Sequence, residues 1–382
     1  MKKWLIFLIF ILFISCKNYN FGPEVIDVLS PPEGTLKNLS EIALDIEYIP
    51  LETTENSLIS YIHDIKLDRD KFYIYILNEI LCFDKQGRYL YKLDKKGRGP
   101  EEYVYIYDWD IDSEKGLLLI LTNKKIIFYK DTGKNFEYNG SLKLAGEVSR
   151  ADFIPGQNSI LLSSFSSSGN DDFRNIVINL NGDTLTLRPN YYKFQQVNKI
   201  GFDFIHSNLH YKYNNFIYFK EVTCDTIFKI DKTIEIKPHI VLYSHGLKPD
   251  QETFANMSME RLRERVNIQR IFEVQRYIIY RMLYNDSSFG IYDKKTSTKK
   301  EISAYNFLED DIAGGINFEP KFSDGSVLIS WVDSYELKQL VSNKNFENTK
   351  VKNAQKKNEL KKLADSLKET DNPVLVIVTP KN

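Results

Sequence analysis

From residue 41 onward, apolar residues come in short runs, many alternating with polar ones, and each run soon stops at Asp, Asn, Gly or Ser. Period-two alternation broken by closely spaced turn residues predicts strands rather than helices. One phrase recurs: an apolar run, then Asp or Asn, then a turn and another strand. It starts at Leu81 (LCFDKQGRYL), Ile127 (IFYKDTGK), Val177 (VINLNGDTL), Ile227 (IFKIDK) and Gly290 (GIYDKK). The interval is roughly 45–50 residues between the first four copies and about 60 before the last, the repeat length of four-stranded propeller blades. Asp, Asn and Gly suit these hairpins because they tolerate the positive φ that tight turns require.

Two further strands precede the phrase in each unit. They are predicted at 61–67 and 71–77 in the first unit, and at 105–111 and 116–121 in the second. Five phrases make five blades. A sixth is assembled from a hairpin of 315–322 and 327–332 about Ser323-Asp324-Gly325, a terminal strand over 372–378, and residues 42–50 from the other end of the chain. The predicted fold is all-β: a six-bladed β-propeller of four-stranded antiparallel blades, its last blade closed by N- and C-terminal strands. Such closure removes exposed sheet edges. Two helical insertions interrupt the rhythm, at 251–266 and 350–369. In the second, Leu360, Leu363 and Leu367 share one helical face. That helix is expected to cap the propeller with its lysines in water, because Glu359, Asp365 and Glu369 interrupt the basic stripe.

The first residues follow a different rule. Lys2 and Lys3 precede an apolar run over 4–14, about 11 residues long, where roughly 20 are needed to cross a bilayer. This reads as a signal peptide. Phe13-Ile14-Ser15-Cys16 resembles a bacterial lipobox, with Phe13 in place of the usual Leu. Cys16 would then carry the lipid, since a thiol is needed to form the thioether. Residues 1–15 are thus predicted as signal peptide, 16–40 as a flexible lipid-anchored tether rich in polar residues, and 41–382 as the propeller. The implied location is the outer membrane, on its periplasmic or cell-surface face. Beyond Cys16 only Cys82 and Cys224 remain, both in strand-like apolar contexts, and two buried thiols are expected.

Composition narrows the functional classes. With 42% hydrophobic and 27% charged residues the chain is neither disordered nor a disulfide miniprotein. A net charge of −1 offers no global field for nucleic acid, which is not expected as a partner. The sequence contains no GxSxG elbow, HExxH helix, P-loop or paired CxxC.

Three separated motifs carry a family resemblance: LSEIALDIEYIPLE at 39–52, KGRGPEEY at 96–103, and Glu369-Thr370-Asp371-Asn372-Pro373 before the terminal strand. In this order, behind a lipobox, they resemble the six-bladed β-propeller lipoproteins of Bacteroidota. The loop in that family commonly reads GRGPGEY, and here Glu101 replaces a glycine. The resemblance implies an extracytoplasmic propeller related to NHL-type repeats and no settled activity.

The candidate ligand residues are Arg98, Tyr103, Trp109, His63 and His206. Arg98 offers a five-donor fork for an anion or sugar, or else pairs with Glu101 or Glu102 to pin two blades together. Tyr103, Tyr105, Tyr107 and Trp109 alternate as they would on one strand face, a stacking platform or inter-blade packing. Propellers that act as hydrolases or lyases place metal ligands in the central channel. His63, Asp64, Asp108, Asp110, Asp152 and His206 fall at or near predicted inner strands, and only under that alternative would Ca²⁺ or Zn²⁺ be required. Otherwise no cofactor is expected, and the function is ligand binding or protein scaffolding by a monomer, with a glycan, peptide or envelope protein as partner.

Overall fold

In the computed structural model, residues 22–164, 169–195, 208–302 and 307–382 are described. Six sheets each follow the order of a propeller blade. Blade 1 comprises Asp64–Asp68, Lys71–Ile76, Glu79–Asp84 and Tyr89–Leu93; blade 2, Asp108–Asp112, Leu117–Leu121, Lys125–Asp131 and Phe136–Lys143. Blade 3 comprises Arg150–Phe153, Ser159–Ser163, Phe173–Asn179 and Thr184–Pro189; blade 4, Leu209–Tyr213, Phe216–Lys220, Thr226–Ile230 and Ile236–Tyr243. Blade 5 comprises Asn267–Glu273, Tyr277–Tyr284, Asp286–Asp293 and Thr298–Ile302. Blade 6 is composite: Phe322–Ser323, Leu328–Val332 and Val374–Pro380 come from the C-terminal part of the chain, and Ala43–Pro50 pairs antiparallel with Val374–Pro380 as its outer strand.

The recurring phrase is the hairpin between the third and fourth strands of blades 1 to 5. Its acidic or amide residue caps the turn each time: Asp84 Oδ1 accepts from the N–H of Gln86, Asp131 Oδ1 from Gly133, and Asn179 Oδ1 from Asn181. Asp231 and Asp293 do the same for Thr233 and Lys295. Gly87 supplies the positive φ of +79° in the first copy, whereas Ile234 takes φ 64° in the fourth, a conformation that β-branched residues avoid.

Several boundaries differ from expectation. The first strands of blades 1 and 2 begin at Asp64 and Asp108, so the residues before them are loop. The expected strand at 315–322 shrinks to Phe322–Ser323. There Asp310 accepts from the N–H groups of Ile312, Ala313 and Gly315, curling the chain, and Pro320 has no N–H for a ladder. The helical stretch 251–266 divides into Gln251–Ala255 and Met259–Arg263, because Ser258 caps a fresh start. The second insertion, expected at 350–369, is the helix Ala354–Ser366, and two helices outside the expected bounds precede it, Ser334–Ser342 and Lys344–Asn348. Leu360 is buried in the cluster around Ile42 and Ile46, with Leu363 and Leu367 packed against it.

The tether expected over 16–40 is replaced, within the described residues, by docked chain. Glu24–Asp27 adds a parallel fifth strand to the outer edge of blade 4, and Thr35–Leu36 does so for blade 5. Ile26, Val28 and Leu36 are buried there. Apolar residues at alternate positions and two open blade edges outweigh the polar composition on which a free tether was expected.

Candidate functional site

The first strand of every blade contributes to one central cavity of ≈ 990 Å³, a size suited to a small-molecule ligand. On these strands the charged residues sit at alternate positions, so that each pair shares one face of its strand: Asp64 and Lys66, Asp108 and Asp110, Arg150 and Asp152, His210 and Lys212. All eight line the cavity.

Blades 1 to 4 join these groups into a network. Lys66 Nζ donates to Asp110 Oδ1 at 3.0 Å and to Asp152 Oδ1 at 3.3 Å. Lys212 Nζ and the N–H of Phe153 both donate to Asp110 Oδ2. Asp108 accepts from Arg150 Nη1 at 3.2 Å and from the N–H of Ala151 at 2.9 Å. Burial alone would push the Asp152 carboxyl up, but Lys66, the His210 hydrogen bond and Lys212 hold it well below the usual carboxylate range. For Lys66, burial disfavours the charge, yet Asp110, Asp152, Asp64 and Asp108 together hold it firmly protonated. At Asp64 burial prevails over Lys66 and Arg150, and the carboxyl is raised.

One row within the network has the spacing of a nucleophile, base and acid: Ser163 Oγ lies 2.6 Å from His210 Nε2, and His210 Nδ1 lies 2.7 Å from Asp152 Oδ2. Further hydrogen bonds extend from both ends of the row. Asn175 Nδ2 donates to Glu221 Oε1 at 2.6 Å, which turns Asn175 Oδ1 toward Ser163, and the Ser163 hydroxyl donates to it. The Ser163 side chain is fully buried, so no electrophilic carbon reaches Oγ. The row ties blade 3 to blade 4. Among the described residues no group of three His, Cys, Asp or Glu side chains is arranged to hold a metal ion. Asp108, Asp110 and Asp152 already hold protein cations.

A second wall is aromatic. Tyr61, His63, Tyr75 and Trp109 follow one another with ring centroids 5.0, 5.5 and 6.5 Å apart. Lys66 Nζ lies 5.3 Å from the Trp109 ring. Tyr61 is 63% and Tyr107 42% exposed, whereas Trp109 is buried, and its indole N–H has no hydrogen-bond partner among the described residues.

Blades 5 and 6 supply the third wall, with Asn267, Gln269, Arg270, Arg281 and Lys321. Arg270 and Arg281 stand directly opposite each other across two strands. Arg281 bonds Ser287 Oγ at 3.0 Å and pairs with Glu319 at 3.4 Å. No ion pair within 4.0 Å involves Arg270 or Lys321 among the described residues, and Lys321 Nζ lies over the Trp331 ring. Burial, reinforced by repulsion from Arg270, lowers the Lys321 pKa against the pull of Glu319.

Of the sequence candidates, His63 and Trp109 line the cavity, as do Asp64, Asp108, Asp110 and Asp152. His206 and Cys16 lie outside the described residues. Arg98 is exposed in the connection between blades 1 and 2 and does not line the cavity. That connection is pinned by other groups: Glu102 Oε2 accepts from the N–H of Gly99 at 2.7 Å, and Tyr129 donates to the Glu101 carbonyl. A Cβ at Gly97 would stand 1.9 Å from Glu102 Oε2. Tyr103 is buried, its hydroxyl donating to the Asn78 carbonyl at 3.0 Å. The expected platform of Tyr103, Tyr105, Tyr107 and Trp109 does not form, because the strand starts only at Asp108; Tyr103 is enclosed between blades while Tyr105 is 64% exposed. Cys82 is buried and Cys224 partly buried, both as free thiols, and burial pushes the Cys82 thiol up to about 12.

The residues that sequence reasoning missed are cations, Lys66, Arg150, Lys212, Arg270, Arg281 and Lys321; His210 stands out in the sequence only as lying four residues from His206, too far along a strand to share a metal with it. Charges two apart on a short strand were the available signal for the first three and for His210. Arg270 and Arg281 become neighbours only through strand pairing.

Among the described residues no helix is long and apolar enough to cross a membrane. The model of one protein family, a domain of unknown function (DUF4934), matches residues 23–379. No curated protein matches the sequence. Among solved structures, the chain is similar to a "Putative exported protein" from Bacteroides fragilis, with a TM-score of 0.69 and 19% identity over 91% of this chain and 99% of that one. A member of the DUF4221 family from Bacteroides vulgatus aligns with a TM-score of 0.49 and 13% identity over 89% of this chain and 97% of its own.

Proposed function

We propose that this chain, which belongs to the DUF4934 family, is a ligand-binding propeller of the cell envelope, anchored through lipid on Cys16. The observation that carries the reading is the cavity of ≈ 990 Å³, lined on one side by Tyr61, His63 and Tyr107 and on another by Arg270 and Lys321, which have no ion pair among the described residues. A channel-centred hydrolase would need a group of free carboxylates, and Lys66, Lys212, Arg150 and His210 occupy those of Asp108, Asp110 and Asp152, which leaves Asp64 alone among these four. The ligand is then held by stacking and hydrogen bonds, without chemical change. The protein acts as a monomer on the outer membrane, and its kinship to NHL-type repeats belongs to the same proposal. Thermal shift of the purified full chain against glycans, peptides and divalent cations tests the binding role. A rise in melting temperature with a glycan or peptide is expected; a rise with divalent cations alone would instead restore the metal-dependent enzyme. In cell fractions, C16A is expected to leave the membrane, and its retention there would sink the anchor.

A further inference from the structure

The wall of blades 5 and 6 concentrates positive charge with a single carboxylate at ion-pair distance among the described residues. Like charges directly opposite on neighbouring strands are unfavourable, yet Arg270 and Arg281 are so paired, and Lys321 lines the same cavity within reach of the Arg270 field. Glu319 is the one carboxylate at ion-pair distance from any of the three among the described residues. Asn267 and Gln269 stand beside them and present carboxamides, which both donate and accept hydrogen bonds. Across the ring, the aromatic side chains of His63, Tyr61 and Tyr107 line the same cavity.

We infer that the cavity binds a saccharide bearing a carboxylate or sulfate, with the acidic group at Arg270, Arg281 and Lys321 and the sugar ring against the aromatic side. A guanidinium fork matches the two oxygens of such an anion. Hydroxyl groups of the sugar find the carboxamides, and its apolar C–H face finds an aromatic plane. A neutral sugar would leave the cations unsatisfied, and a small inorganic anion would leave the rings uncovered.

The inference rests on the proposed binding role, and the experiment separates the two. Calorimetry and thermal shift of the full chain use four probes: a uronate oligosaccharide, a sulfated disaccharide, a neutral oligosaccharide and inorganic sulfate. Binding of one acidic saccharide is expected, weakened about tenfold or more in R270A and in K321Q and weakened by added salt. Which of the two acidic probes binds tells carboxylate from sulfate. Y107A is expected to weaken the acidic saccharide while leaving inorganic sulfate unaffected. Equal affinity of R270A and the parent for a saccharide that does bind would overturn the anion assignment and leave the binding role standing. Inorganic sulfate matching the saccharide in affinity would overturn the part played by the rings. Tighter binding of the neutral oligosaccharide would overturn the ligand class. If none of these probes binds while a peptide does, the saccharide is refuted and the binding role survives; silence from every probe refutes both.

Discussion

The two sides of the channel both carry charge and treat it in opposite ways. In blades 1 to 4 the carboxylates of Asp108, Asp110 and Asp152 each meet a cation from another blade, and backbone N–H groups complete the shells of Asp108 and Asp110. In blades 5 and 6 two arginines oppose each other, and Lys321 rests on an aromatic ring. A network whose charges are largely paired has little left to offer a ligand and serves to hold the ring together. An unsaturated one costs the fold a little and is left with unused hydrogen-bonding capacity. Charge in a propeller channel therefore marks a site only where its partners are missing.

The sharpest way to break this comparison is to remove one cation from each side. K66M removes the cation shared by Asp110 and Asp152, both buried, and leaves Asp110 with Lys212 and Asp152 with His210. Breaking a buried pair in this way costs about 3–5 kcal/mol, read as a lower urea midpoint for the full chain. R270M takes away an equal charge from an exposed side chain with an arginine opposite, and its stability is expected to stay within about 0.5 kcal/mol of the parent. Equal losses in the two variants would mean that the blade 5 wall is as structural as the other.

Much of this architecture is legible along the chain because blades repeat. The Asp-centred turns at Asp84, Asp131, Asn179, Asp231 and Asp293 advertise the hairpins, and the apolar strand Val374–Pro380 advertises the closure. What hides is whatever depends on register or on an edge. Glu24–Asp27 reads as polar tether until the open edge of blade 4 is there to receive it. The helix Ser334–Ser342 buries only Leu337 and Val341 among its apolar residues, too thin a stripe to stand out. At the site, the sequence points to the acidic residues and to Trp109 and His63. It misses the meaning of the acids, because a carboxylate awaiting a metal and one paired with Lys66 look alike until the strands are placed side by side.

Acid tests paired carboxylates inside and outside the channel, with a smaller effect. Burial raises the Asp131 carboxyl, but the hydroxyls of Tyr73 and Tyr91, at 2.5 and 2.6 Å, with the Gly133 N–H and Lys71, bring it below its usual 3.8. Asp152 is lowered in the same sense. A carboxyl whose pKa falls on folding contributes stability above its unfolded value and loses it as pH drops through the folded one. The full chain is therefore expected to lose stability below about pH 4. D131N is expected to cost about 1–3 kcal/mol at neutral pH, because it leaves buried donors without their acceptor, and to flatten the acid limb. An acid limb of unchanged slope in D131N would show that other carboxylates govern it.

Asp64 is the exception inside the saturated wall, and it gives the smallest and most discriminating test. It lines the cavity, and no ion pair within 4.0 Å involves it among the described residues. Burial raises its pKa above 3.8, and Lys66 and Arg150 only partly offset that. The sign is the reverse of that for Asp131: a carboxyl raised on folding is most favourable below its unfolded value, and it takes stability away as pH rises through the folded one. D64N removes the titration and keeps the shape. It is expected to be more stable than the parent at pH 7 by no more than about 1 kcal/mol, with the gap closing as pH falls toward 3.8. Thermal melts of both proteins between pH 4 and pH 8 would reveal the gap (the range being set by the ordinary carboxylate pKa). A destabilised D64N with a pH-independent difference would mean that the Asp64 carboxylate is held by the network as firmly as Asp110, and that the wall of blades 1 to 4 has no unsatisfied member.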